Sequence, residues 1–215
     1  SREELGRTQA AGAYVAYPKK GMHDWIGAID INSLYPSAIR ALNMGNETIV
    51  GQLRQEYTEQ HVSDAMANKK SFADAWENMF GSIEYELVMA QDKDKQIVVD
   101  WENGAEDTLT GAQIYKLIFL SENPWMLSAN GTIFSNEVKG IVPGLLERWY
   151  AERQDIQAKM RDVTDAKEKA FYDKRQLVKK INLNSLYGAL LNPGCRFFDK
   201  RIGQSTTLCG RAIAK

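Results

Sequence analysis

The chain has 215 residues, of which 44% are hydrophobic, and its net charge at neutral pH is −1. A chain of this length can bury a core as one or two domains. Two cysteines are too few for a disulfide framework, no apolar run approaches the ~20 residues of a membrane span, and we expect no secretory signal. The composition therefore argues against a disulfide-stabilised or membrane-spanning protein.

The charge is unevenly distributed. Residues 1–145 hold 12 Lys and Arg against 20 Asp and Glu, a net −8, whereas residues 146–215 hold 15 against 8, a net +7. A basic C-terminal third suits contact with phosphates. A solvated helical hairpin with i,i+4 charge pairs would give the same pattern, so charge alone leaves both interpretations open.

Residues 25–29 (WIGAI) are apolar and partly β-branched, which predicts a buried strand. Asp30 follows directly, and a carboxylate at the end of a buried strand is costly unless it has a partner. Mg²⁺ is a suitable partner because it binds carboxylate and carbonyl oxygens. A turn or helix N-cap is the alternative for Asp30 considered alone.

The pattern after Pro36 predicts a helix over residues 37–42, and residues 46–130 are the least informative. Residues 83–89 and 96–101 are expected to form two strands joined by an acidic and Lys-rich loop. Thr110 and Gln113 fit a capping box that opens a further helix.

The amphipathic sequence pattern between residues 143 and 187 predicts two long helices. One begins near Pro143, which suits the first turn of a helix, and a second follows a short break at residues 162–165 and reaches Tyr187. Two long helices joined by a short turn are antiparallel. A further helix is expected from Ser205.

On the second helix Lys180, Asn184 and Tyr187 fall at i, i+4 and i+7, on one face. They belong to the string KxxxNSLYG (residues 180–188), and Asp30 opens the string DxxSLYPS (residues 30–37). In this order the strings resemble motifs A and B of the family-B (α-like) DNA polymerases. GALLN (188–192) and RFFD (196–199) most resemble the replicative polymerases of T-even-like bacteriophages.

The resemblance implies an α+β fold with part of a polymerase palm, a mixed sheet with helices, and an antiparallel two-helix fingers hairpin. The expected divisions are residues 1–45 (first part of the palm, with part of its sheet), 46–140 (palm-associated segment), 141–192 (fingers) and 193–215 (return to the palm). The implied reaction is template-directed addition of deoxynucleotides to a primer 3′ end. We expect a cytoplasmic protein, in the host cytoplasm if it is viral.

The resemblance also implies roles for motif A. Asp30 and the Ile31 carbonyl would hold Mg²⁺ in a two-metal site. The backbone N–H groups of Ser33, Leu34 and Tyr35 would bind the β- and γ-phosphates. The Tyr35 ring would lie under the sugar as a steric gate against the ribose 2′-hydroxyl.

On the hairpin, Arg153 and Lys180 would both point at one triphosphate. Asn184 would order the nucleotide side, and Tyr187 and Gly188 would meet the new base pair. The phage relatives carry a basic residue one turn after this arginine, where this chain has Gln157. A lower triphosphate affinity or a compensating cation is therefore expected.

Motif C, the second carboxylate cluster of the family, does not follow motif B in this sequence, nor does a thumb. We interpret Asp92 and Asp94, which precede motif B, as solvated loop residues. We therefore expect the chain alone to be inactive, as a split subunit or an engineered truncation. In a split enzyme a second polymerase chain would supply motif C and the thumb. In either case we expect Leu208 and Ile213, in the last helix, to be under-packed.

Two alternatives are kept. A non-catalytic nucleotide- or nucleic-acid-binding module could keep the fold without turnover, although an unpaired Asp30 carboxylate facing phosphate argues against this. A protein-primed polymerase shares SLYP and NSLYG strings, but the residues from Ser128 to Pro143 and the RFFD segment favour the T-even type.

Overall fold

The structure, a computed structural model, describes residues 18–28, 30–54 and 93–214. The strand expected over residues 83–89 lies outside these ranges. The helices are α1 (Leu34–Ala41), α2 (Gly111–Phe119), α3 (Ile141–Asp162), α4 (Ala166–Leu190) and α5 (Lys200–Ala214). The strands are β1 (Ile49–Leu53), β2 (Gln96–Trp101), β3 (Glu106–Thr110), β4 (Trp125–Leu127) and β5 (Thr132–Ser135). The α+β class expected from the sequence is confirmed.

The described strands form one antiparallel sheet in the order β3-β2-β1-β5-β4. At its centre Gln52 of β1 pairs with Asp100 on one side and with Thr132 on the other. Helix α2 opens with the predicted capping box, since the Gln113 N–H donates to the Thr110 hydroxyl and the Thr110 N–H to the Gln113 side chain. Its apolar face packs on the sheet through Ile114 and Ile118.

The strand predicted over residues 25–29 is wrong for residues 25–28. These residues form no strand and are exposed, and Trp25 has a positive φ of 60°. An apolar run becomes a strand only if it pairs with a neighbour, and in the described ranges no strand pairs with it. The described strands lie at residues 49–53 and between residues 96 and 135, whereas part of the sheet was expected from residues 1–45.

A second core joins the helices to the edge of the sheet. Its buried members come from α1, β1, β5 and the three C-terminal helices, and include Ile39, Phe134, Leu146, Leu183 and Ile202. Helices α3 and α4 form the predicted antiparallel hairpin, joined at residues 163–165. This core fixes the base of the hairpin against α1.

Asn43 connects the end of α1 to the start of α3. Its side-chain N–H₂ donates to the carbonyl oxygens of Ser135 and Val138, each at 2.8 Å, and its side-chain oxygen accepts from the Gly140 N–H at 2.9 Å. The Glu47 carboxylate accepts from the Ile141 N–H. An anion at a helix N-terminus is favourable, so both contacts hold the first turn of α3 beside α1.

Helix α5 is tied to the sheet by buried polar groups. The Ser205 hydroxyl donates to the Asn130 side-chain oxygen at 2.7 Å, and the Asn130 amide donates to the Arg201 carbonyl oxygen at 3.2 Å. The expectation that Leu208 is under-packed is wrong, because the face of α5 that carries it packs into the molecule and Leu208 is fully buried. Ile213, in contrast, is 58% exposed.

Among helices in the described part of the chain, none combines the length and apolar character needed to cross a membrane.

Candidate active site

Motif A and the helical hairpin meet at an open cleft of about 610 Å³. The cleft is lined by the seven consecutive residues 30–36 and by Arg153, Lys180 and Asn184. Its size falls within the range of small-ligand pockets. The structure therefore brings together, across 150 residues of sequence, the two strings singled out above.

One wall of the cleft is the N-terminus of α1. The helix begins at Leu34, three residues before the predicted start, because Ser33 adopts the left-handed conformation (φ 53°, ψ 51°) as its N-cap. The Ser33 carbonyl accepts the Ser37 N–H at 2.9 Å. The first N–H groups of a helix have no intrahelical partner, so this end of α1 presents donors and a positive dipole end to the cleft.

Asp30 lies at the other end of the same segment, with an exposed side chain. It does not end a described strand, and among the described residues that line the cleft there is no second carboxylate. Across residues 18–28, 30–54 and 93–214 there is no cluster of three or more His, Cys, Asp or Glu that could hold a metal ion. Asp94 is exposed in a turn and does not line the cleft, as predicted for it.

Arg153 reaches the cleft from α3 and is held by a residue of α4. Its Nε donates to the Gln176 side-chain oxygen at 3.2 Å, and the Gln157 amide approaches the same oxygen at 3.5 Å. Gln176 in turn donates to Asp173 at 2.9 Å. Among the described residues no hydrogen bond engages the two terminal nitrogens of the Arg153 guanidinium, which can therefore donate to an anion.

Lys180 and Asn184 occupy the cleft face of α4, one helical turn apart. Both are exposed, while Leu183 between them is completely buried in the helical core. With 3.6 residues per turn, Leu183 lies about 60° round the helix from Lys180 and about 100° from Asn184, so it flanks the stripe that these two residues form and can face the core while they face the cleft. The burial of Leu183 therefore fixes the rotation of α4 that directs Lys180 and Asn184 outward.

Tyr35 and Tyr187 pack against each other behind the cleft, with ring centroids 4.6 Å apart. The Tyr187 hydroxyl forms a hydrogen bond with Thr207 of α5. Burial raises the pKa of both phenols above its usual value. Both rings are therefore neutral at physiological pH and act through shape and hydrogen bonding.

Tyr187 and Gly188 do not line the cleft itself. Tyr187 touches it only through Tyr35, and Gly188 is exposed with open space where a Cβ would lie. Sequence reasoning missed Asn32 and Pro36, which also line the cleft, and Gln176, Thr207 and Gly210, which contact the expected site residues. Pro36 carried a signal, since Pro favours the first turn of a helix. The other four carried none.

The family model for DNA polymerase family B matches residues 1–215. The chain therefore belongs to DNA polymerase family B.

Individual relatives span viruses and archaea. The chain is 28% identical over 207 residues to a DNA polymerase of Phaeocystis pouchetii virus, an alignment that covers 94% of this chain and 18% of the viral protein. It is 26% identical over 205 residues to a DNA polymerase of Pyrococcus glycovorans (95% and 18%). It is 26% identical over 221 residues to the DNA-directed DNA polymerase of Enterobacteria phage T4 (93% and 22%).

The chain thus spans about a fifth of the length of these curated relatives. The phage polymerase is among them, as the flanking strings suggested, but the viral and archaeal proteins are similar to the same degree. The comparisons support the family without separating its branches.

Proposed function

We propose that this chain forms part of the active site of a DNA-directed DNA polymerase, which adds deoxynucleotides to a primer 3′ end by two-metal nucleotidyl transfer. The observation that carries the proposal is the cleft in which residues 30–36 face Arg153, Lys180 and Asn184. Within the proposal, residues 1–45 are the first part of the palm, 46–140 a palm-associated segment, 141–192 the fingers and 193–215 the return to the palm.

The triphosphate would bind between the helix N-terminus and the two cations. The N–H groups of Ser33, Leu34 and Tyr35 supply donors from a backbone that needs no reorganisation. Arg153 offers the free edge of its guanidinium as a planar fork, and Lys180 offers a point charge. Charge that spreads over the phosphate oxygens during transfer is stabilised by such fixed donors.

Asp30 and the Ile31 carbonyl fit one part of a Mg²⁺ site. Both offer oxygen atoms as metal ligands, and Asp30 is exposed at the cleft. Bound there, two Mg²⁺ ions would stabilise the attacking and leaving oxygens of the displacement. A single carboxylate does not hold two such ions well. We therefore expect further carboxylates from a separate polymerase segment or chain. The thumb of that segment would also hold the DNA duplex.

The sugar and base would meet the tyrosine side of the cleft. The Tyr35 ring would exclude a ribose 2′-hydroxyl, and Asn184 would order the nucleotide. Tyr187 and Gly188 would face the new base pair. The open space beside Gly188 supports a close approach of DNA there.

The test is primer extension with a primer–template, deoxynucleoside triphosphates and Mg²⁺. The chain is assayed alone and mixed with a family-B polypeptide that carries motif C and the thumb. Extension only in the mixture is expected. Extension by the chain alone would refute the need for a second carboxylate source.

The second candidate is a nucleotide- or nucleic-acid-binding module without turnover, and it is favoured because Asp30 is the one carboxylate among the described residues that line the cleft. It predicts saturable binding of a deoxynucleoside triphosphate with no extension in either arm. The cytoplasmic location expected from the sequence remains a prediction.

A further inference from the structure

Helix α5 contacts both tyrosines of the site from behind. Thr207 bonds the Tyr187 hydroxyl, and Gly210 lies against the Tyr35 ring. The two α5 residues are three apart and so share one helix face. We propose that Gly210 and Thr207 are positioning residues that set how far the Tyr35 ring projects into the cleft, and thereby set sugar discrimination. This inference rests on the proposed function.

The first support is the approach of Tyr35 to the α5 backbone. A Cβ on Gly210 would lie 2.7 Å from Tyr35 Cε1 and 3.1 Å from Tyr35 Cδ1. Cβ atoms essentially never come within 3.0 Å of a non-bonded heavy atom, so with any side chain here either the Tyr35 ring or α5 must shift. Because glycine is unfavourable in a helix interior, the close contact is a physical reason for its presence at this position.

The second support is that two described residues bound the ring away from the cleft. Gly210 lies on one side of Tyr35, and Tyr187 lies on another with its centroid 4.6 Å away. The remaining side faces the open cleft. A methyl group added at Gly210 would therefore push the Tyr35 ring toward the space that the sugar would occupy.

The third support is that Tyr187 cannot easily move aside. Thr207 is buried, and its hydroxyl donates to the Gly203 carbonyl at 3.0 Å. A threonine hydroxyl has one hydrogen, so in its bond with Tyr187 it accepts and the phenol donates. Tyr187 is thereby held in one orientation beside Tyr35.

The fourth support is that α5 itself is anchored. On another face of the helix, Ser205 donates to Asn130, and the Ser205 and Ser128 hydroxyl oxygens lie 3.0 Å apart. Paired buried polar groups of this kind fix one packing arrangement. An added atom at Gly210 is therefore accommodated by the ring rather than by the helix.

The experiment measures kcat/KM for a deoxynucleotide and for the matching ribonucleotide, using the complemented polymerase of the extension assay. Gly210→Ala should lower the deoxynucleotide value roughly tenfold, the size of an overpacking effect, and the ribonucleotide value further. Thr207→Val should lower discrimination, and Thr207→Ser should restore it. Thermal unfolding is followed for every variant.

Gly51→Ala is the matched control. Its added Cβ would lie 2.9 Å from Trp101 Cε3, so it creates the same kind of clash with an aromatic ring, in the sheet and outside the cleft lining. It should change thermal stability but leave the ratio of the two kcat/KM values unchanged. A shifted ratio in this control would overturn the assignment, since any overpacking would then suffice.

The outcomes separate the two proposals. A wild-type enzyme that extends no primer contradicts the proposed function and says nothing specific about α5. A wild-type enzyme that extends, with a folded Gly210→Ala variant of unchanged ratio, overturns the inference. If Gly210→Ala does not fold, Thr207→Val and Tyr187→Phe test the inference instead. Both remove the same hydrogen bond, so both should shift the ratio of the two kcat/KM values in the same direction. An unchanged ratio in these variants overturns the inference.

Discussion

Arg153 and Gln176 face each other across the helical hairpin, and the Arg153 Nε donates to the Gln176 side-chain oxygen over 3.2 Å. The bond joins the middle of α3 to the middle of α4. It orders an arginine that would otherwise lose rotamer freedom on binding a phosphate. The Gln157 amide approaches the same oxygen. Residue 157, which is basic in the phage relatives, therefore contacts Gln176 in this chain.

Replacing Gln157 by lysine should strengthen nucleotide binding. The change adds a positive charge one helical turn from Arg153, and we expect the KM for deoxynucleotides to fall about two- to fivefold, the size of an exposed ionic contact. The gain should shrink as salt is added. Lys159→Gln, which removes a positive charge, is the control. Lys159 already pairs with Asp155 at 2.7 Å, so the KM should stay unchanged in this variant. A rise in KM as large as the fall in the Gln157→Lys variant would point to a general effect of charge.

Asp30→Asn should abolish primer extension by the complemented enzyme. The amide keeps the size of the side chain but loses the negative charge that binds a divalent cation. Because Asp30 is exposed, the unfolding temperature should stay near that of the wild type. Retained extension would remove Asp30 from the metal site.

Replacing Tyr35 by valine should relax discrimination against ribonucleotides. The substitution removes the ring that would exclude the 2′-hydroxyl, whereas Tyr35→Phe keeps the ring and should preserve discrimination. Competition between matched nucleotides in single-turnover extension measures the effect. Equal discrimination in the valine variant and the wild type would assign the gate elsewhere.

Leu183→Ala should destabilise the protein by about 2–5 kcal/mol, because it opens a cavity in a fully packed core. Chemical denaturation measures this loss. Ile181→Ala, two residues earlier and 56% exposed, should change the free energy of unfolding by less than about 0.5 kcal/mol. Similar losses in both would contradict the orientation of α4.

Glu152 should contribute to stability in a pH-dependent way. A hydrogen bond from Lys179 lowers its pKa below the ordinary 4.5, and the charges of Lys179 and Arg148 add to the effect. A depressed folded-state pKa stabilises the fold above the unfolded-state value, and the benefit is lost as the pH falls through the folded-state value. At neutral pH the wild type should therefore unfold at a higher temperature than Glu152→Gln. The two unfolding temperatures should converge in acid. A constant difference would exclude this carboxylate as the cause.

The hairpin was predictable from the sequence because its signals are local. Pro143 marks a helix start, the break at residues 162–165 marks the turn, and periodicity places Lys180 and Asn184 on one face. The family strings then predicted which loop this face would meet. The sheet was largely missed, since strands such as β4 and β5 are short and gain stability only through distant partners. The contact of Gly210 with Tyr35 depends on how α5 docks, which local pattern does not encode.

The contacts of Asn43 with the residues that precede α3 define the point about which the helical hairpin would tilt. Within residues 166–182, all of which the structure describes, no side chain is buried, so this outer part of α4 contributes no residue to either described core. Arg153 lies twelve residues along α3 from Ile141, about 18 Å at 1.5 Å per residue. A tilt of about 10° at the Asn43 contacts would carry its guanidinium about 3 Å by this geometry, roughly the length of a hydrogen bond. A small rotation at one asparagine would therefore be enough to make or break the contact that we propose between Arg153 and a phosphate.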